Sequence, residues 1–235
     1  MSGRARLVVG AAVLGGTLVA WRMRERLSDR LTDNLARRPS GWLGRRFYRE
    51  AKPHQQAFRE TLDALALGPA DRLLELGCGG GTFVDWALAT GCTARAIDHS
   101  PDMLDLARER NAQAVADGRL ELRDADARHL PFVDGEFTAA ATTNAFFFFD
   151  EPQAVLAEVH RTLAPDRRIA IYTDATAFMA PPPVARRMHF YSDEELRGLL
   201  ERAGYTQINL QRKGPGGRMQ LATARKAASE PARPG

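Results

Sequence analysis

Cysteine is nearly absent. The 235 residues include only Cys78 and Cys92. That excludes a disulfide scaffold and a cysteine-rich zinc module, and makes a reduced, cytosolic setting the default. Hydrophobic runs of membrane-spanning length are also lacking. Leu7 to Trp21 is a run of 15 residues without a charge. As a helix it reaches roughly 22 Å, against a hydrocarbon core of roughly 30 Å. A basic face on the body of the chain is missing too. Residues 53–211 carry 15 Lys/Arg against 24 Asp/Glu, so the net charge of +4 comes from the ends. The first 52 residues hold 12 basic against 4 acidic side chains, and residues 212–235 hold 6 against 1. An acidic body with basic ends argues against a nucleic-acid-binding domain. A basic arm suits anionic lipid headgroups. With 44% hydrophobic and 26% charged residues the chain can bury a core, and no internal repeat is evident.

Four regions follow. Residues 1–24 form an apolar N-terminal segment and a candidate membrane anchor. Arg4 and Arg6 precede its run, and Arg22, Arg24 and Arg26 follow. Arginine stems can snorkel, and local bilayer thinning can absorb the short length. A helix docked on the protein or lying in the interface, and a cleaved leader, are the competing readings. If the run spans, the heavier positive charge after it keeps the body cytoplasmic. Residues 25–52 read as a basic connecting arm, 53–226 as the folded domain and 227–235 as a disordered tail.

Inside the domain, strands and helices alternate. Ala57, Phe58, Leu62 and Leu65 share one helical face, ended by Gly68-Pro69. Strands are expected at 72–76, 93–97, 120–122, 138–142 and 169–172, and two more near 207–211 and 219–224 as a hairpin around Gly214–Gly217. Between them lie helices over 83–90, from Ser100-Pro101, from an Asp150/Gln153 capping box, and from a Ser192/Glu195 capping box stopped at Gly204. This pattern predicts an α/β fold: a doubly wound, mostly parallel seven-stranded sheet with an N-terminal helical extension.

The first strand runs into Leu76-Gly77-Cys78-Gly79-Gly80-Gly81 and then a helix. In such sheets ligands bind beyond the carboxyl ends of the strands, where glycines let the backbone turn sharply. Asp98 ends the second strand, 21 positions after Gly77. A carboxylate there can accept both ribose hydroxyls of an adenosine. Asp126, after the third strand, can accept from an adenine amino group. The bland readings are a structural tight turn, a helix-entry acid and a loop acid.

In this order the residues resemble a class I S-adenosylmethionine-dependent methyltransferase of the small-molecule and quinone branch. The similarity runs from about Phe58 to Arg225. It rests on Glu75 to Gly81, Asp98-His99-Ser100-Pro101-Asp102-Met103, Asp126 to Phe132 with Phe137, Glu158 to Pro165, Tyr191 to Leu196 and Ala203-Gly204-Tyr205. The resemblance implies a Rossmann-like fold and S-adenosylmethionine as cofactor. It places Gly77, Cys78, Gly79 and Gly81 beside the methionine part, and gives Glu75 the loop or the bound amino group. It assigns Asp98 to the ribose, His99 and Met103 to the flanks of the adenine, and Asp126 with the Ala127 amide to its edge. The chain departs from the pattern at Thr138, where an aspartate often follows the phenylalanine. It departs again at Asp166-Arg167, which replaces a glycine pair, and at Phe146–Phe149, four aromatics where acceptor contacts usually begin.

Methyl transfer is an in-line displacement at a sulfonium, so orientation and a dry pocket carry most of it and a base is optional. Acceptor contacts are expected in Asn144–Phe149 and Phe178–Tyr191, with Asn144, Phe146, Phe147, His189 and Tyr191 as candidates. His189 is the candidate base and His160 a structural residue. No close set of metal-type ligands accompanies them, so no metal is expected. Asn144-Ala145-Phe146-Phe147 is not the Asn-Pro-Pro-aromatic sequence of base or glutamine methylating enzymes. The expected partner is therefore a small-molecule acceptor, apolar or membrane-associated, and not a nucleic acid. Two other classes compete. A dinucleotide oxidoreductase needs glycine at the sixth position of its fingerprint, and that position is Thr82. A non-catalytic, membrane-tethered cofactor-binding scaffold would keep the pocket without turnover.

Overall fold

The computed structural model describes residues 54–176, 185–186 and 188–228. The apolar run Leu7–Trp21, the basic arm, Pro181–Pro183, Arg187 and the end of the tail lie outside the described residues. Among the described residues no helix is long and apolar enough to cross a membrane.

The order is α1 (Gln55–Leu65), β1 (Arg72–Leu76), α2 (Thr82–Leu88), β2 (Thr93–Asp98), α3 (Pro101–Arg110), α4 (Ala112–Ala116) and β3 (Leu120–Asp124). Then come β4 (Phe137–Thr143), a 3-10 turn at Phe146–Phe148, α5 (Pro152–Thr162), β5 (Leu163–Asp174), α6 (Asp193–Arg202), β6 (Tyr205–Lys213) and β7 (Met219–Lys226). The seven strands stand in the order β3-β2-β1-β4-β5-β7-β6. The first five are parallel to their neighbours, while β7 runs antiparallel to both β5 and β6. The direction of the chain reverses outward from β1, which sets a switch point between the carboxyl ends of β1 and β4.

Alternation along each strand separates two cores. Leu73, Ala94, Ala139, Ala141, Ala170, Tyr172 and Leu221 face α1 and α2. Leu74, Ile97, Ala140, Ile169, Ile171, Ala222 and Ala224 face α5 and α6. Helix α6 begins as its sequence demands. Ser192 Oγ accepts from the Glu195 amide at 3.1 Å, and Glu195 Oε2 accepts from the Ser192 amide at 2.8 Å.

The expected capping box at Asp150 does not form. Glu151 is the N-cap of α5, Pro152 opens the helix and no side chain caps it. Gln153 is drawn away by tertiary partners: it donates to the Leu199 carbonyl at 3.4 Å and accepts from Arg202 Nε at 3.2 Å, joining α5 to α6. Strands β2 and β5 run further than the apolar windows predict, since β2 takes in Asp98 and β5 starts at Leu163; a short α4 also follows α3 directly.

The departures Thr138 and Asp166 have local causes. Thr138 Oγ1 donates to Asp71 Oδ1 at 2.6 Å and accepts from the Arg72 amide at 2.9 Å. Arg168 closes the same cluster on Asp71 Oδ2 at 3.0 Å. A carboxylate is thus present, supplied by residue 71. Asp166 adopts φ 58°, a left-handed geometry that aspartate tolerates better than most residues. Arg225 donates to its carbonyl at 2.7 Å.

Candidate functional site

The glycine turn is a packing necessity. Gly77 has φ 69°, and a Cβ there would sit 2.6 Å from Ala145 Cβ. Gly81, the N-cap of α2, has φ 75°, and a Cβ would meet Asn111 Nδ2 at 2.7 Å and the Ala107 backbone at 2.9 Å. Neighbouring protein, at least as much as any ligand, forbids side chains here. The amides of Gly77 and Cys78 both donate to the Ile97 carbonyl, at 2.9 and 3.0 Å, which ties the turn to the end of β2.

Two carboxylates are buried beside this turn. Glu75 on β1 is 1% exposed and Asp98 at the end of β2 is 8% exposed. Asp98 Oδ2 accepts from the Gly79 amide and Oδ1 from the Ser100 amide, both at 2.9 Å. Each oxygen keeps a second lone pair for another donor. Glu75 Oε2 has no hydrogen-bond partner. Burial, reinforced by the Asp98 charge, pushes the Glu75 carboxyl up to about 8. Burial also raises Asp98, against the pull of the two amides. The Cys78 thiol, enclosed near both acids, is driven well above its ordinary range. Two buried acids whose charges oppose each other form a site that favours a cationic ligand.

The remaining cofactor candidates lie at the same rim in different states. His99 is exposed, its Nδ1 3.9 Å from Asp98 Oδ1. Met103 is wholly enclosed in the first turn of α3, and Ala127 is buried. Asp126 is exposed. Arg128 grips its carboxylate through Nε at 3.0 Å and Nη2 at 2.7 Å and also bonds Glu151. Those hydrogen bonds hold the Asp126 carboxyl down at about 2. The loop behind it is fixed by α5. Arg161 donates to the carbonyls of Leu130 at 3.1 Å and Phe132 at 2.8 Å, and Glu158 Oε2 accepts from the Leu130 amide at 2.8 Å.

Of the two segments expected to meet the acceptor, Asn144–Phe149 and the described end of Phe178–Tyr191 come together; Phe178 itself lies outside the described residues. The His189 amide donates to the Phe147 carbonyl at 2.7 Å. Tyr191 packs on Phe146 with ring centroids 5.4 Å apart, and Phe146 meets Phe149 edge-on at 5.9 Å. Phe146 and Phe147 are buried at 1% and 5% exposure, so these two rings are part of the core as well as of the rim. Asn144 takes a left-handed φ of 56° and donates its amide to the Tyr172 carbonyl at 2.9 Å. The His189 side chain is exposed. His160 packs edge-on against Tyr205 at 5.1 Å, away from this rim.

Residues 74–171 match the family described as a methyltransferase domain. An uncharacterized methyltransferase of Synechocystis sp. is 30% identical over 176 residues, covering 70% of this chain and 80% of that protein. The chain belongs to the class I S-adenosylmethionine-dependent methyltransferase family. A demethylmenaquinone methyltransferase of Clavibacter sepedonicus is 37% identical over 128 residues, covering 54% of this chain and 49% of that protein. The chain thus spans about half the length of that second relative. The crystal structure of an S-adenosylmethionine-dependent methyltransferase from Mesorhizobium loti superposes with a TM-score of 0.63 at 20% identity, covering 76% of this chain and all of that one. It shares the fold.

The methyltransferase cofactor fits what the site offers. S-adenosylmethionine carries a sulfonium and an ammonium, the charges that a buried pair such as Glu75 and Asp98 lacks. Among the described residues no group of three or more His, Cys, Asp and Glu side chains gathers to hold a metal. The sequence reading missed one set at this rim: Thr142, Thr173 and Gln220, all buried polar residues. The available signal was a polar residue one position from the strand end, on the face that the apolar residues of the strand occupy.

Proposed function

We propose that this methyltransferase moves the methyl group of S-adenosylmethionine to a small, apolar acceptor seated between Asn144–Phe149 and His189–Tyr191. One observation carries the reading: the buried Glu75 carboxyl, with Oε2 unpartnered, beside the Asp98 carboxylate at the glycine turn. When bound, the cofactor supplies a methyl group on a cationic sulfur. Glu75 faces the ammonium and takes its charge. Asp98 keeps its two backbone donors and accepts the ribose hydroxyls on its free lone pairs. His99 would flank the adenine, and Met103, wholly enclosed, would support that flank only through packing. The Ala127 amide and Asp126 meet the adenine edge, and Asp126 reaches it by sharing its carboxylate with Arg128.

On the acceptor side, Phe146, Phe149 and Tyr191 form an aromatic wall and His189 stands at its mouth as the candidate proton acceptor. Similarity to a demethylmenaquinone methyltransferase supports an apolar ring as acceptor. Leu7–Trp21 and its flanking arginines support a membrane-associated location for the whole chain, with residues 53–226 as the catalytic domain. Two experiments test this. Turnover of labelled S-adenosylmethionine to S-adenosylhomocysteine in native lipid and polar extracts separates an enzyme from a silent binding scaffold. Fractionation of the full chain tests location. Retention on membranes through a high-salt wash is the expected result, release by salt assigns the basic arm instead, and a chain that never sediments with membranes rejects both.

A further inference from the structure

The second half of the rim carries buried polar atoms that the cofactor does not use. Ile169 and Ile171 of β5, Ala140 of β4, and Ala222 and Ala224 of β7 face α5 and α6. By alternation Thr173, Thr142 and Gln220 continue that same face to the carboxyl rim. Register places them side by side. Thr173 is the direct antiparallel partner of Gln220. Thr142 pairs with Ile171, one same-face step before Thr173. Their exposures are 2% for Thr142 and 0% for Thr173 and Gln220. Thr142 Oγ1, Thr173 Oγ1 and Gln220 Oε1 are all without a hydrogen-bond partner, and so is the buried hydroxyl of Tyr191, whose ring lies on Phe146. Asn144 Nδ2, just beyond β4, is unpartnered as well. Buried polar atoms are nearly always bonded in native proteins, and these orphans call for an explanation.

The chemistry of the set is specific. Gln220 Nε2 donates to Asp193 Oδ1 at 2.7 Å, which orients the amide and leaves Oε1 as its unpartnered acceptor. Asp193 is in turn neutralised by Arg212 at 3.0 Å. The threonine hydroxyls and the Tyr191 phenol can donate or accept. No unpaired charge is bonded to the set. A carboxylate or phosphate held here would lose its hydration without gaining a cation, and an ammonium would gain no free carboxylate. A hydroxyl satisfies both sides: it donates to Gln220 Oε1 and accepts from a threonine. The aromatic wall of Phe146, Phe149 and Tyr191 suits a flat apolar skeleton carrying that hydroxyl.

We propose that Thr142, Thr173, Gln220 and Tyr191 form an uncharged subsite that holds a hydroxyl group of a flat apolar acceptor. The proposal deepens the methyl-transfer reading and rests on it for the acceptor's presence at this rim. The test titrates the full chain by calorimetry, with and without S-adenosylhomocysteine, using naphthol, naphthoate and naphthylmethylammonium as probes of one shape. Naphthol is expected to bind about 10-fold tighter than either charged probe. Thr173→Val should weaken naphthol about 5- to 10-fold. The same variant should leave S-adenosylhomocysteine affinity unchanged and raise the melting temperature of the free protein, because an orphaned hydroxyl is removed. Gln220→Glu should shift preference toward the ammonium probe. Equal binding of the three probes, no binding of naphthol, or wild-type naphthol affinity in Thr173→Val would overturn the subsite. Loss of S-adenosylhomocysteine binding alone would instead count against the methyl-transfer reading.

Discussion

The two halves of the rim solve opposite electrostatic problems. Where β1 and β2 end, two carboxylates are buried beside a glycine turn, and the site is acidic before any ligand arrives. Where β4 and β5 end and β7 begins, the buried unpartnered groups are hydroxyls and amides. On the proposed reading the first half meets a cationic partner. The second is neutral, and what it accepts is set by shape and by a few hydrogen bonds. The difference teaches that cofactor identity can be read from charge in this chain, while acceptor identity has to be read from unpartnered neutral atoms.

The largest test of that contrast removes one of the two acids. Glu75 titrates near 8 in the folded chain against an ordinary value of 4.5. A raised carboxyl contributes stability that is full below about 4.5 and is lost as pH rises through about 8, a loss of up to roughly 5 kcal/mol in the cofactor-free protein. Glu75→Gln should flatten that decline in urea melts at a series of pH values, and should weaken S-adenosylmethionine binding. A decline of equal slope in the variant would remove Glu75 as its source. In wild type, cofactor affinity should rise with pH across the same window, because ionised Glu75 is the form that pairs with a cation.

Next in size is Asp98→Ala. Losing a charged acceptor for two hydroxyls costs about 1.5–3 kcal/mol, or roughly 10- to 150-fold in calorimetric affinity. Wild-type affinity in the variant would detach Asp98 from the ribose. On the neutral half, Phe147→Ala and His189→Ala should each lower turnover roughly 10-fold or more once an acceptor is in hand, with cofactor affinity unchanged. Phe147 is buried, so its variant needs a melting curve alongside; His189 is exposed and serves as the cleaner probe. The smallest effect belongs to Asp126→Ala, only a few-fold in cofactor affinity, because an exposed carboxylate already shared with Arg128 has little left to give. A change as large as that of Asp98→Ala would place Asp126 beside Glu75 and Asp98 in importance.

Much of the fold is legible in the sequence because local signals and tertiary packing agree. Apolar strands, glycine stops and the Ser192/Glu195 box each point to the element that forms. Legibility ends where a side chain has a choice of partners. Gln153 reads as half of a capping box, yet it bonds α6 because that helix packs beside it. Asp126 reads as an acceptor for an adenine amino group, and Arg128 two residues on already shares its carboxylate. Thr138 reads as a lost aspartate, although Asp71 brings a carboxylate to the same place from 67 residues away. The positions of Glu75 and Asp98 could be anticipated from strand ends; the unpaired Oε2 of Glu75 could not, since burial and pairing are properties of the assembled sheet.

The antiparallel seventh strand has a consequence for the order in which this protein is completed. β1 to β4 and the glycine turn are contained in residues 72–143, a run of mostly neighbouring pairings. The neutral half waits for Gln220, near the start of the last strand. As the chain is synthesised, the acidic cleft can therefore assemble while the rim of β4 and β5 is still missing its third strand. Until β7 arrives, β5 presents an open edge lined by Ile169 to Thr173, a surface prone to pair with other chains. Nascent chains halted before residue 219 should aggregate through that edge, and capture of the cofactor during synthesis would steady the half already built.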